Sequence, residues 1–194
     1  MNTKLTGFRL EYEADQKYYV KPFNLVSPNL VTDDERKREY YQVRQYNNSI
    51  HSEYNGMNSF ELQIASALDN LGSRWCRNPS KIGYSIPIPE IGEGTTNFYP
   101  DFLLWSNQCL WAIDPKGEHL LNDAIYSKLL GVADIEGLTI KIRVAFLLEG
   151  SYVLGNNERP LRQNKLGFSM IWKERGKIRA KQFTSCNLLV KQLT

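Results

Sequence analysis

A chain of 194 residues, 42% hydrophobic and 23% charged, is long enough for one substantial core and ordinary in composition for a globular protein. No apolar run approaches the roughly 18 residues that cross a bilayer, and the opening Met1-Asn2-Thr3-Lys4 lacks a signal-peptide core, so a cytoplasmic protein is expected. Cys76, Cys109 and Cys186 have neither zinc spacing nor the even number of a disulfide framework, and a net charge of +3 permits a nucleic-acid partner without arguing for one.

Short β-like pieces, Phe8–Tyr12 and Lys17–Val20, stand among Pro22 and Pro28 at the start of the chain. Residues 33–46 predict a charged helix, because Asp33, Asp34 and Glu35 precede Arg36, Lys37 and Arg38 in the order a helix dipole favours. The polar, Asn-rich stretch 47–58 reads as a linker, with a soft boundary after an N-terminal extension of residues 1–57 packed on the core. Phe60, Ile64, Ala67, Leu68 and Leu71 recur at helical spacing and predict an amphipathic helix from Asn58 to Leu71, ended by Gly72.

A short strand is expected over Ile82–Ile88, followed by two longer ones, Asn97–Trp105 and Cys109–Lys116. If Asn107-Gln108 is a two-residue turn, Trp105 faces Leu110, Leu103 faces Ala112 and Asp101 faces Asp114; alternation then sets Lys116 on the face of Asp114. Beyond Gly117 a second amphipathic helix is expected over His119–Val132, with Lys128 inside its apolar stripe of Leu121, Ile125, Leu129 and Val132. The nearly continuous apolar run Ile140–Leu148 predicts a strand buried on both faces. Gly167–Lys173 and Lys177–Phe183 predict a terminal hairpin turning at Arg175-Gly176.

Two carboxylates side by side repel unless a proton or a cation lies between them. Each residue here has a plain structural reading: Asp101 in a bend after Pro100, Asp114-Pro115 at a strand end that needs no donor, Lys116 as a solvated turn lysine. Those readings do not explain their joint placement in a hairpin flanked by Phe102, Leu103, Leu104, Trp111, Ala112 and Ile113, where an isolated charge is costly unless paired or bound to metal. Asp101 and Asp114 can give oxygens to Mg2+, with Mn2+ as a substitute, and the Pro115 carbonyl can be a further ligand. Lys116 can orient or help deprotonate an attacking water, or neutralise charge developing on phosphorus.

Tyr99-Pro100-Asp101 followed by Asp114-Pro115-Lys116-Gly117 resembles the PD…(D/E)xK signature of the restriction-endonuclease-like superfamily. Ser59-Phe60-Glu61-Leu62 on the first helix, Arg74-Trp75-Cys76-Arg77-Asn78-Pro79 after it and the strand over 82–88 extend the likeness over roughly 58–149, toward the C-terminal nuclease domain of type III restriction enzymes and related helicase-linked nucleases. Those domains usually carry Glu where Asp114 stands. The resemblance implies an α/β fold, a central mixed sheet flanked on both faces by helices (an αβββαβ core), in a nuclease domain over 58–194 that ends in a β-hairpin. It implies a Mg2+-dependent endonuclease that hydrolyses DNA, in restriction or antiviral defence, beside a helicase or translocase; the chain has no Gly-Lys-Ser/Thr phosphate loop of its own.

The resemblance assigns Glu61 to the metal, directly or through water, although Asn58 and Glu61 also have capping-box spacing. It gives Lys128 a supporting catalytic or phosphate-contacting role, with snorkelling as the alternative. Arg74 and Arg77 are candidates for the substrate backbone. Lys177, Arg179 and Lys181 set three cations on one strand face, as a track for phosphates or as charge that protects an edge strand. A catalytically inactive nucleic-acid-binding or assembly module is the other reading, and an enzyme of this fold acting on RNA or branched DNA stays open.

Overall fold

The hairpin that apolar alternation implies lies inside the main sheet. The computed structural model describes residues 6–12, 18–24, 44–51, 53–54, 56–79, 83–89, 95–106, 109–116, 141–156 and 158–194. Thr6–Tyr12 (β1) pairs with Tyr18–Asn24 (β2), and Arg44–Gln45 (β3) with Glu53–Tyr54 (β4). Helix α1 spans Ser59–Asp69, followed by Trp75–Arg77 (β5), Ile86–Pro89 (β6), Thr95–Phe98 (β7), Phe102–Ser106 (β8) and Cys109–Lys116 (β9). Lys141–Leu154 (β10), Pro160–Glu174 (β11), Lys177–Phe183 (β12) and helix α2, Cys186–Lys191, complete the described chain. Among the described residues no helix is long and apolar enough to cross a membrane.

Six strands form one mixed sheet in the order β12-β11-β10-β9-β8-β5, antiparallel throughout except for β9 against β10. With its helices this is an α/β architecture. Leu110, Trp111, Ala112 and Ile113 are all buried because β9 is central and covered on both faces. The register is the expected one: Trp105 opposite Leu110, Leu103 opposite Ala112. A parallel pair such as β9–β10 needs a long crossover. The expected helix His119–Val132, and Lys128 on it, lie outside the described residues.

Both described helices share one face. The Phe60 ring of α1 stacks on Phe168 at 5.9 Å, and Trp111 Nε1 donates to the Leu193 carbonyl just beyond α2 at 2.8 Å. Ladder pairing puts Phe168 and Trp111 on the same side, through Glu149 and Arg143 of β10. By the same alternation Asp114 and Lys116 belong to the opposite side, with Leu110, Ala112 and Phe146.

Several expectations change. Asn97–Trp105 is not one strand; it breaks at Tyr99-Pro100-Asp101, and β7 leaves the main sheet to pair with β6. Pro100 has no ladder donor to offer there. The strand expected from Ile82 begins at Ile86, because Tyr84 is held by Asn78 instead of a neighbouring strand. The charged helix over 33–46 does not reach its expected end: Arg44–Gln45 is strand, and residues 33–43 lie outside the described part.

The polar stretch after it is packed rather than a free linker. Asp69 accepts the amides of Asn47 (2.9 Å) and Asn48 (2.7 Å) and the indole of Trp75 (3.1 Å). Tyr54 and Met57 are buried, and the rings of Tyr46 and Tyr54 lie 5.0 and 5.5 Å from Trp75. Both asparagines bind through their backbone amides, and Asn48 Nδ2 also donates to the Asp69 carbonyl at 2.7 Å. Burial alone would raise the Asp69 carboxyl, but the amides of Asn47 and Asn48 outweigh it and hold it below its ordinary value. A lowered folded pKa means that this clamp is complete above the unfolded value of about 3.9 and is lost as pH falls through the folded one. Asp69→Ala is expected to cost about 1–3 kcal/mol and to speed amide exchange over residues 47–57, measured by hydrogen–deuterium exchange; unchanged protection there counts against the clamp.

Candidate active site

The site forms where β8 begins and β9 ends. Phe102 pairs with Ile113, so the next positions outward are Asp101 and Asp114, and their carboxyls come within hydrogen-bond reach of each other. Asp114 is almost fully buried. Burial first, and the charge of Asp101 second, push its carboxyl well above the ordinary value; burial also raises Asp101, against the pull of Lys116. The pair therefore shares a proton, held on Asp114, or it takes a cation.

Lys116 Nζ lies 2.6 Å from Asp114 Oδ2 and 5.4 Å from the centre of the Phe98 ring, which packs against Phe146 at 6.3 Å. At 2.6 Å the ammonium of Lys116 is the charge partner of Asp114 Oδ2. Pro115 stands between the two on β9, opposite Leu147 of β10 and beyond the last β8 pair, where its missing N–H breaks no β8 bond.

Glu61 fulfils its capping geometry and also faces the site. Its amide donates to Asn58 Oδ1 at 2.9 Å, while Oε2 accepts the Asn58 amide at 3.1 Å and Oε1 accepts Asn58 Nδ2 at 2.7 Å. Burial and then the charge of Asp101 raise its pKa, and Arg77 Nη2 stands 3.9 Å from Oε2. Arg77 also donates to the Gly56 carbonyl at 2.6 Å and stabilises the charged form of Asp101.

The other predicted residues are not brought here. Arg74 is at the far end of β5, where its carbonyl accepts the Trp105 amide beside the β8–β9 connection. Lys181 is level with Pro115 through Met170 and Leu147, but three strands away, about 14 Å at strand spacing. Lys177, Arg179 and Lys181 share the helix side of the sheet, opposite Asp114, and Lys181 Nζ donates to Gln192 just past α2 at 2.6 Å.

Asn78 carries a role that the sequence reading did not give it. Its buried side chain donates from Nδ2 to the Pro100 and Tyr84 carbonyls, both at 2.8 Å, and accepts the Tyr84 amide at 2.7 Å; its own amide donates to the Asp101 carbonyl at 2.8 Å. This one residue holds the bend that aims Asp101. A Cβ on Gly83 would come within 2.3 Å of Asn78 Oδ1, which reserves that position for glycine. An Asn between Arg77 and Pro79 reads locally as a turn residue, and only the fold shows what it grips.

Among the described residues no group of three or more His, Cys, Asp or Glu is assembled as a metal cage. The buried Asp114 carboxylate and the half-buried Asp101 carboxylate beside it still fit a hard divalent cation completed by the Pro115 carbonyl and water. Comparison with protein-family models, curated proteins and solved structures finds no match to this chain.

Both carboxyls of the pair have raised folded pKa values. Their contribution to stability is therefore complete below the unfolded Asp value of about 3.9 and is lost as pH rises through the folded values. Asp101→Asn is expected to raise the Tm of the metal-free protein near pH 8 by about 2–4 °C, the equivalent of ~1 kcal/mol at this chain length. The gain shrinks toward acid pH; scanning calorimetry in EDTA showing a lower Tm near pH 8 rejects the like-charge account.

Proposed function

We propose that this protein is a Mg2+-dependent endonuclease that hydrolyses DNA phosphodiester bonds. On this reading residues 58–149 form a restriction-endonuclease-like core, and the chain serves restriction or antiviral defence beside a helicase or translocase. The observation that carries the reading is the Asp101–Asp114 pair, with Asp114 buried and Lys116 2.6 Å from its carboxylate. Placing two acids together out of water weakens the fold, and a cation is what turns that arrangement into an asset.

Asp101, Asp114 and the Pro115 carbonyl are the groups that would hold the ion. When bound, it supplies positive charge to a phosphoryl oxygen and lowers the barrier to attack by water. Lys116, braced by Phe98 and by its ion pair, orients that water and offsets charge developing on phosphorus. Arg77 is the cation placed to receive the substrate backbone, and Glu61 adds negative potential from the helix side. The step forms one P–O bond from water and breaks another; the proton lost by water returns to the leaving oxygen through solvent.

Because the pair must release its shared proton to accept a cation, metal affinity rises with pH. Mg2+ at about 100 times its dissociation constant should stabilise the parent by ~2.7 kcal/mol, with a larger thermal shift near pH 8 than near pH 6, and should leave Asp114→Asn unmoved. Supercoiled plasmid with Mg2+ or Mn2+ tests the chemistry: Lys116→Ala and Asp101→Ala are expected to slow cleavage by about 100-fold or more. Binding without cleavage under either metal, with a partner motor present, supports the inactive module instead.

A further inference from the structure

The two carboxylates of the site are mounted differently. Asp114 lies within β9, where the parallel ladder sets it opposite Phe146 of β10, so a central strand fixes its backbone. Asp101 lies outside any strand. The ladders that β8 makes with β9 and with β5 both end at Phe102, opposite Ile113 and Arg77. Beyond that point the bonds that a neighbouring strand would give come from Asn78.

Asn78 follows β5 directly, and its grip is unusually complete. The Pro100 carbonyl, which accepts from Nδ2, belongs to the peptide before the Asp101 Cα; the Asp101 carbonyl, which accepts the Asn78 amide, belongs to the peptide after it. One residue thus holds both peptide planes that define the Asp101 backbone, each at 2.8 Å. The second Nδ2 hydrogen and Oδ1 are engaged by the Tyr84 carbonyl and amide, so the carboxamide cannot rotate without losing a bond. Asn78 is buried, where a bond given up is not replaced by water.

Gly83 closes the back of this clamp. Its amide donates to the Pro79 carbonyl at 2.8 Å, and a Cβ there would stand 2.3 Å from Asn78 Oδ1 and 2.6 Å from that same carbonyl. The carboxamide therefore has no room to step back from Pro100.

A rigid mount matters more to a small cation than to a large one. Mg2+ demands a nearly ideal octahedron at ~2.0–2.1 Å, whereas Ca2+ takes about six to eight oxygens at ~2.3–2.6 Å and tolerates irregular sets. A carboxylate whose backbone drifts by a few tenths of an ångström is costly for the first ion and nearly harmless for the second.

We propose that Asn78 is a positioning residue that sets the cation selectivity of the site: by clamping both peptides of Asp101 it keeps that carboxylate in one place relative to Asp114, and so favours Mg2+ against the larger Ca2+. Asn78 touches neither ion nor substrate and acts through Asp101. The inference rests on the metal-dependent reading and adds the residue that tunes it.

Isothermal titration calorimetry of the full chain at pH 8, with MgCl2 and CaCl2 in separate titrations and no DNA, tests this apart from any cleavage. Asn78→Ala removes the clamp; Gly83→Ala keeps every donor of Asn78 and displaces its carboxamide. Each is expected to weaken Mg2+ binding about 10- to 100-fold and to lower the ratio of Mg2+ to Ca2+ affinity by about tenfold or more. A purely structural role lowers both affinities by one common factor, the fraction folded in circular dichroism melts, and leaves the ratio where it was; that result in either variant overturns the proposal. A parent that binds Ca2+ about tenfold or more tighter than Mg2+ overturns it without any variant. A parent that binds neither ion removes the metal-dependent reading and this inference with it, whereas a parent that binds Mg2+ with a ratio unmoved by the two substitutions leaves that reading standing and overturns this inference alone.

Discussion

The pairing of Phe102 with Ile113 is the constraint on which the candidate site depends. Strand side chains alternate with a period of two, so a slip of one residue would carry Asp114 and Lys116 to the helix side and bring Leu110 and Ala112 with them. The apolar contents of β8 and β9 forbid that slip, since both faces of β9 are buried and each side chain there is matched to its surroundings. Hydrophobic packing thus secures an electrostatic arrangement that is unfavourable in isolation. The carboxyls lie one step beyond the last β8–β9 pair, close enough to the core to be desolvated.

That position also explains the division of labour around them. Asn78 spends its side-chain bonds on Tyr84 and Pro100, neither of which is chemically active, and so fixes the backbone that carries Asp101. Phe98 and Phe146 give Lys116 an aromatic wall, while Arg77 stands between Gly56 and Glu61 on the other flank. Glu61 shows how one side chain can serve two ends: its oxygens close the helix cap, and its carboxyl is raised by the charge of Asp101. A helix terminus is a sound mount for such a group, because the cap orients it without use of the core.

The parallel step from β9 to β10 has a further consequence. β10 runs on past the end of β9 at the site end, from Glu149 to Leu154. The bulge at Gly150 and the bonds from Ser169 and Gln182 turn that excess back against β11 and β12 rather than continuing the flat sheet. Lys177, Arg179 and Lys181, basic in sequence, lie on the helix side and run away from the site along β12.

Much was legible from local pattern. The hairpin register, the span of β9, the Asn58–Glu61 cap and the turn at Arg175-Gly176 followed from alternation, helical spacing and turn chemistry, which are properties of neighbours in the chain. The closeness of Asp101 to Asp114 was legible for the same reason, since a short hairpin makes its two strands effectively local. Three-residue β5 and six-residue α2 are too short to show a period, and the break at Pro100 depends on Asn78, 22 positions away. Sequence by itself determined which residues could form a buried acidic pair with a lysine beside it. Tertiary structure alone decided that Arg77 joins them while Arg74 does not, that Asn78 holds the bend, and that β10 runs past the end of β9, because each depends on which distant strand lies alongside and in which direction it runs.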